Sequence, residues 1–434
     1  MNMYLTGCVG MMVLFCAVEQ PAMADIGAYV RKPDPAFQWE QRGVQEIDGV
    51  RVYDLHLTSL VWQGITWEHR LQIFQPIHPD RPHFCSLYNT GGGGSAENTA
   101  MGVKMAKMTG APFAILFNIP NQPLFDGLTE DRLVVYTWLR FLETGDESWP
   151  LHFPMTMAVI KAMEAIQAHA EKAELPSVDG FLICGASKRG WTTWLAGATR
   201  DPRIKAIAPM VIDTLNVPAQ TSHQLKVLGT YSEQVKDYID AGIPDKLKTP
   251  AGRRLMELED PYNYRSILTL PKLIILGTND RYWAQDALNI YWDGLKGPKW
   301  VLYDPNSGHG LEDRARVFNT LSAFIRAVAD GKHWPTMRWT WTGATLRLTS
   351  NPPPISARLF HTTAPTQDFR DSHWTSDPAT IADSGFTASA PIPAHGFGAA
   401  FGEATYNLDG HSFTLSTQIR ILGGNENKTK DGGR

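Results

Sequence analysis

In the first part of the chain apolar and polar side chains alternate. Residues 51–76 (RVYDLHLTSLVWQGITWEHRLQIFQP) keep a period of two on either side of Gly64, the pattern of an antiparallel hairpin turning at that glycine. After it the pattern changes. Short unbroken apolar runs at 84–88, 113–118, 181–184, 204–212, 273–276 and 300–303 are separated by longer, helix-compatible stretches. Strands apolar on both sides are buried on both faces, so these runs predict a mainly parallel sheet with helices on either face. Residues 155–172 place apolar side chains at helical spacing with few breakers and predict a helix. Residues 216–264 interrupt the rhythm with polar and helical material, a cap-like insertion suited to the carboxyl end of the sheet. From 335 onward Thr, Ser, Pro and Gly become common, with short alternating runs at 338–342, 344–348, 357–361 and 412–421. They predict a C-terminal all-β, sandwich-like domain over 335–422, and the Gly-rich residues 423–434 a disordered tail.

Composition narrows the classes. The chain has 434 residues, 43% hydrophobic and 19% charged, with a formal net charge of -4. It is long and apolar enough for a substantial core and neither basic nor polar enough for a nucleic-acid binder or a disordered chain. No run reaches the roughly 18–20 apolar residues that span a bilayer. The apolar segment 8–18 precedes Ala22-Met23-Ala24, which reads as a secretory signal peptide over 1–24 and export to the periplasm or beyond. No Lys or Arg precedes that run, and Leu5-Thr6-Gly7-Cys8, a lipoprotein-like box, lies on its wrong side. Cleavage would leave Cys85 and Cys184, too few for a disulfide framework; both sit in apolar runs that suit buried thiols, and a single bridge between them stays open.

The chemistry concentrates after the apolar runs. Residues 181–191 read Phe-Leu-Ile-Cys-Gly185-Ala186-Ser187-Lys188-Arg189-Gly190-Trp191, a strand entering Gly-x-Ser-x-x-Gly and then a helical stretch. A serine nucleophile on a tight strand-to-helix turn needs small neighbours. Gly185 supplies one; at the usual second position stands Arg189, and Gly190 follows one residue later. Asp280 follows the run at 273–276, and His309 the run at 300–303. Ser187, Asp280 and His309 thus stand in the order of an α/β-hydrolase triad, each just beyond a strand, with His309 as general base and Asp280 fixing its tautomer. Asp213, Asp286 and Asp304 are rival acids; His223 and His395 are rival bases that follow no sheet strand. Gly91, Gly92 and Gly93, continuing to Gly94-Ser95, follow the run at 84–88, where a backbone donor for an oxyanion belongs, with the Lys188 amide as the second. No Gly-Lys-Ser/Thr follows these glycines, so a phosphate loop is excluded. Lys188 and Arg189 either attract an acidic substrate or pair with carboxylates of the fold, the second being favoured. Trp138, Trp191, Trp194 and Trp283 read as core or pocket lining. No metal-ligand motif occurs, and no cofactor is implied.

At these residues the chain resembles the PhoPQ-activated pathogenicity-related (PqaA-like) family of the α/β-hydrolase superfamily. The resemblance runs through Tyr29-Val-Arg-Lys-Pro-Asp-Pro-Ala-Phe-Gln-Trp39, Asn118-Ile-Pro-Asn-Gln-Pro123 and Trp149-Pro-Leu-His-Phe-Pro-Met155. It continues through Gly185-Ala-Ser-Lys-Arg-Gly-Trp191, Asp260-Pro-Tyr262 and Pro305-Asn-Ser-Gly-His309. It implies an exported α/β-hydrolase-like protein over most of 26–330, with Ser187, Asp280 and His309 on the matching positions and a β-sandwich appended; it implies no substrate. Relatives often carry Asp or Glu near the Asn279-Asp280 strand end, where this chain has Arg281-Tyr282-Trp283.

The leading reading is an exported serine hydrolase, an esterase or peptidase working through an acyl-enzyme on a small-molecule or peptide substrate. For a peptidase, Glu233 and Glu257 are the carboxylates available to a substrate amine. A carbohydrate esterase of the glucuronoyl-esterase kind is a second reading, since those enzymes also carry a basic residue after the serine. The third is a secreted signalling or binding protein on a non-catalytic hydrolase scaffold, whose C-terminal domain meets a protein partner.

Overall fold

The computed structural model describes residues 25–423; the expected signal segment and all but the first residue of the expected tail lie outside them. Its first three strands are β1 (Gln38–Ile47), β2 (Val50–Trp62) and β3 (Ile65–Pro76), antiparallel to one another. The β2–β3 turn places Gln63 at φ 51° and Gly64 at φ 74°, the two positive values that a two-residue hairpin turn demands. The next six are β4 (Phe84–Asn89), β5 (Phe113–Leu116), β6 (Gly180–Ala186), β7 (Ile204–Met210), β8 (Lys272–Gly277) and β9 (Lys299–Asp304). Each of the six apolar runs overlaps one of them. In space the order is β1-β2-β3-β5-β4-β6-β7-β8-β9, parallel from β5 through β9.

The continuous apolar runs have the cause inferred for them. Within β6, Phe181 and Ile183 enter one core, with helices Glu130–Thr144, His152–Lys172 and Lys188–Ala198. Leu182 and Cys184 enter the other, with helices Ala96–Thr109 and Arg314–Ala329. Alternate residues therefore face opposite helix layers. Cys85 joins the first core and Cys184 the second, and both thiols are free and buried. Burial pushes both pKa values far up, so these are inert thiols.

The insertion at 216–264 is helical, with helices Val217–Leu228, Lys236–Asp240, Ile243–Lys246 and Pro250–Glu259. The C-terminal region is antiparallel β: β10 (Thr336–Thr342), β11 (Thr345–Asn351), β12 (Ser356–Ala364), β13 (Thr375–Pro378), β14 (Thr380–Ala382), β15 (Gly385–Ser389), β16 (Phe397–Leu408), β17 (His411–Ser416) and β18 (Arg420–Gly423). These strands are divided between two sheets, one of them shared with the α/β part. Ser416 of β17 pairs with Val301 of β9, so β17, β16, β12 and β13 prolong the central sheet, while β10, β11, β15 and β14 form a separate four-stranded sheet. Leu346, Phe386 and Leu415 share a core with Val317 and Phe324 of helix Arg314–Ala329, so the two parts bury apolar surface jointly. Among the described residues no helix is long and apolar enough to cross a membrane.

Candidate active site

Ser187 sits between β6 and helix Lys188–Ala198 at φ 58°, ψ −128°, a backbone conformation that costs on the order of 1–3 kcal/mol for a residue with a side chain. Its amide donates to the Met210 carbonyl at 2.9 Å, tying the turn to β7. The flanking glycines explain the shifted motif. A Cβ on Gly185 would lie 2.7 Å from the Arg189 carbonyl, and one on Gly190 would lie 2.7 Å from the Met210 carbonyl. Gly190 is therefore the residue that lets the helix approach β7. Arg189 is free to carry a side chain because that side chain leaves the turn.

Asp280 and His309 are brought together. His309 Nδ1 lies 2.7 Å from Asp280 Oδ2, and the other carboxylate oxygen accepts the Tyr282 amide at 3.0 Å. The Asp280 side chain is 5% exposed and that of His309 30%. Their loops are stitched by backbone bonds, Thr278 N to Asp304 O at 3.1 Å and Asn279 N to Ser307 O at 2.9 Å. The Tyr282 ring lies over His309 with centroids 4.4 Å apart. His309 Nε2 is buried and has no hydrogen-bond partner among the described residues, so a Ser187–His309 bond is not made here. Catalytic hydrogen bonds are often long before substrate arrives.

The rivals are engaged elsewhere. Asp286 lies 2.7 Å from His223 Nε2, and Asp304 accepts the Asp313 amide at 3.1 Å. Asp213 follows β7 but is fully buried; burial, reinforced by the charges of Asp280 and Asp286, pushes its pKa up to about 8. It is a protonated neighbour rather than a second carboxylate at neutral pH. His395 is exposed in the C-terminal region.

Arg189 and Lys188 form a charge cluster that the sequence did not reveal in full. The Arg189 guanidinium is bidentate to Glu130 at 2.7 and 2.8 Å, and Lys188 Nζ lies 3.1 Å from both Glu130 and Asp131. Burial opposes ionisation of Glu130, but the hydrogen bonds and charge of Arg189, with Lys188 adding, hold its carboxyl well below the usual range. Tyr238 and Tyr282 also donate to Asp131, at 3.1 and 3.4 Å. Glu130 and Asp131 open a helix, where acids are ordinary complements to the helix dipole, so nothing in the sequence marked them. Gly91 rests on the same arginine: a Cβ there would lie 1.8 Å from Arg189 Nη2. The Gly92 carbonyl accepts the Asn118 amide at 2.9 Å, while a Cβ on Gly92 or Gly93 would meet nothing within 4 Å.

Ser187 opens into a pocket between the sheet end and the helical insertion. Trp138, Trp191, Tyr282 and Trp283 line it, with Ile239, Ile243 and Leu247 from the insertion. Behind it, His152 and Glu259 form a fully buried pair; Trp138 donates to the Glu259 carboxylate at 3.1 Å, and Trp191 to its carbonyl at 2.6 Å. The strand-end loops are also bonded to the C-terminal region. Asn279 donates to the carbonyls of Arg370 and Ser372 at 3.1 and 2.7 Å. Asn306 exchanges two bonds with the Trp374 backbone, at 2.9 and 2.7 Å.

A family model for the PhoPQ-activated pathogenicity-related protein matches residues 26–370. The chain belongs to that family. The match runs from the first helix through the three strand-end loops and into the segment that holds Asn279. A curated relative, autocrine proliferation repressor protein A of Dictyostelium discoideum, is 33% identical over 335 residues, covering 72% of this chain and 67% of that protein. Among solved structures, an acetyl xylan esterase from Paenibacillus sp. R4 is 14% identical with a TM-score of 0.49, over 70% of this chain and 92% of that one. An S-formylglutathione hydrolase from Agrobacterium tumefaciens is 13% identical with a TM-score of 0.46, over 67% of this chain and 99% of that one. Likeness at that distance carries nothing about substrate.

Proposed function

We propose that the protein is an exported serine hydrolase, an esterase or peptidase working through an acyl-enzyme on Ser187. The observation that carries this reading is the 2.7 Å contact of His309 with Asp280, in loops at the same carboxyl end of the parallel sheet as the strained Ser187 turn. In the proposed reaction His309 Nε2 takes the proton of Ser187 Oγ as the oxygen attacks the substrate carbonyl. Asp280 accepts from Nδ1 and stabilises the imidazolium. The backbone of Gly91–Gly93 and the Lys188 amide donate to the oxyanion. When the tetrahedral intermediate collapses, the bond to the leaving group breaks and that group takes the proton from His309. Water then repeats the sequence on the acyl-serine, releasing the acid and restoring the hydroxyl. Export rests on the segment 1–24, read from sequence.

Two of the alternatives lose ground to the ion pairs. Arg189 is committed to Glu130, which disfavours it as the holder of an acidic sugar. Glu233 pairs with Arg281 at 2.5 Å and Glu257 with Arg254 at 2.9 Å, which leaves neither unpaired for a substrate amine. The name of the Dictyostelium relative favours a second reading, a secreted signalling protein on this scaffold. Turnover of activated esters separates the two. A hydrolase loses at least about a thousandfold in kcat with either Ser187→Ala or His309→Ala, whereas a signalling scaffold turns over none and tolerates both.

A further inference from the structure

Most of the charged and polar groups around Ser187 are already bonded within the protein, and that restricts what the pocket can take. Asp131 and Lys188 face each other at 3.1 Å, so the pair brings no unbalanced charge to the wall. Gln220 gives its amide hydrogens to the carbonyls of Leu215 and Ala287 at 3.3 and 2.9 Å. Gln224 donates to the Tyr282 carbonyl at 2.8 Å and accepts the Ser232 amide at 2.9 Å, and Thr221 donates to the Val217 carbonyl at 2.8 Å. The indole nitrogens of Trp138 and Trp191 are turned to Glu259. Among these lining groups, Trp283 Nε1 is a buried donor with no partner, enough for one acceptor such as an ester oxygen. Thr214 and Tyr231 add two hydroxyls, and most of the remaining wall is apolar, with Ile212, Val217, Val235, Ile239, Ile243 and Leu247.

A sugar needs several aimed donors and acceptors, and a charged peptide end needs a free counter-charge; leaving either unpaired in such a wall is costly. An alkyl chain needs neither. We infer that the pocket is an acyl pocket: the preferred substrate is an ester of an uncharged, medium-length aliphatic acid whose chain lies against Val235, Ile239 and Leu247. This rests on the serine-hydrolase reading and deepens it. Each methylene moved from water into the pocket raises kcat/KM by about three- to fourfold until the wall is reached.

The test uses the mature protein and p-nitrophenyl esters from acetate to octanoate, beside fluorophosphonate labelling of Ser187. The expected result is a kcat/KM that climbs at least tenfold from acetate to hexanoate. Ile239→Trp and Val235→Trp each fill the pocket and lower the octanoate-to-acetate ratio at least tenfold. Because that ratio is internal to each preparation, partial misfolding does not mimic the effect. A labelled Ser187 with a flat or falling chain-length profile overturns the acyl pocket and leaves the hydrolase standing. So does a labelled enzyme that prefers aminoacyl or acetylated-sugar esters. Absence of both labelling and turnover overturns the hydrolase reading, and this inference with it.

Discussion

His309 Nδ1 and Asp280 Oδ2 lie 2.7 Å apart, with the carboxylate's second oxygen held by the Tyr282 amide. The carboxylate is thereby fixed in place, and Nε2 is left as the ring atom available to Ser187. Asp280→Asn keeps the shape but cannot hold the tautomer in which Nε2 is the base. We expect kcat to fall by about 10³–10⁴ with little loss of stability, measured as ester turnover beside thermal unfolding.

The second prediction concerns Glu130. Glu130→Gln removes the bidentate partner of Arg189 and should cost roughly 1–3 kcal/mol, because Glu130 itself is partly exposed. Gly91 rests on Arg189, so the glycine loop should loosen as well and kcat should drop beyond what stability explains. The native carboxyl is depressed, so its stabilisation is complete above the unfolded value, about 4.3, and fades as pH falls below it. Denaturant titrations of wild type and variant at pH 7 and pH 3 check the sign: the gap between them should narrow in acid.

Asp213 has the opposite sign. Its folded pKa of about 8 exceeds the unfolded value of about 3.9, so the native state binds the extra proton between those limits. The stabilisation it gives is complete below about pH 3.9 and is lost as pH rises through 8. Asp213→Asn mimics the protonated acid and should flatten that decline. The variant's stability relative to wild type should rise by several kcal/mol between pH 5 and pH 8.5. Equal pH profiles for the two proteins would refute a protonated Asp213.

The C-terminal region is tied to the loop that carries His309 through Asn306, which stands at φ 58° and bonds twice to the Trp374 backbone. Asn306→Gly keeps that backbone conformation available and deletes both bonds. The expected cost is about 1–2 kcal/mol and a roughly tenfold loss in kcat with KM little changed, the split expected when a positioning contact to the His309 loop is lost. Unchanged kcat would make the contact purely structural.

What was legible in the sequence follows from what each residue has to satisfy. The run 181–184 is apolar throughout because β6 is covered on both faces, and Ser187, Asp280 and His309 could be placed at strand ends because each follows such a run. β16 (Phe397–Leu408) was missed for the converse reason. It is built from Gly and Ala, poor strand formers, because neighbours leave no room: a Cβ on Gly402 would lie 2.4 Å from Leu346. β1 was missed because most of its side chains are exposed and carry no alternation. The salt-bridge partners of Lys188 and Arg189 lie 57 to 59 residues away in sequence, and an acidic pair at a helix start signals only the helix. Gly190 was read as an irregular motif; it is the contact point with β7.

Whether Ser187 is an activated nucleophile is tested by fluorophosphonate labelling of the purified mature protein. Labelling should approach one probe per chain, located on Ser187, abolished in Ser187→Ala and reduced at least a hundredfold in rate in His309→Ala. A folded wild-type protein that takes no label, or one labelled equally well with His309 removed, would contradict an activated Ser187 and with it the central claim.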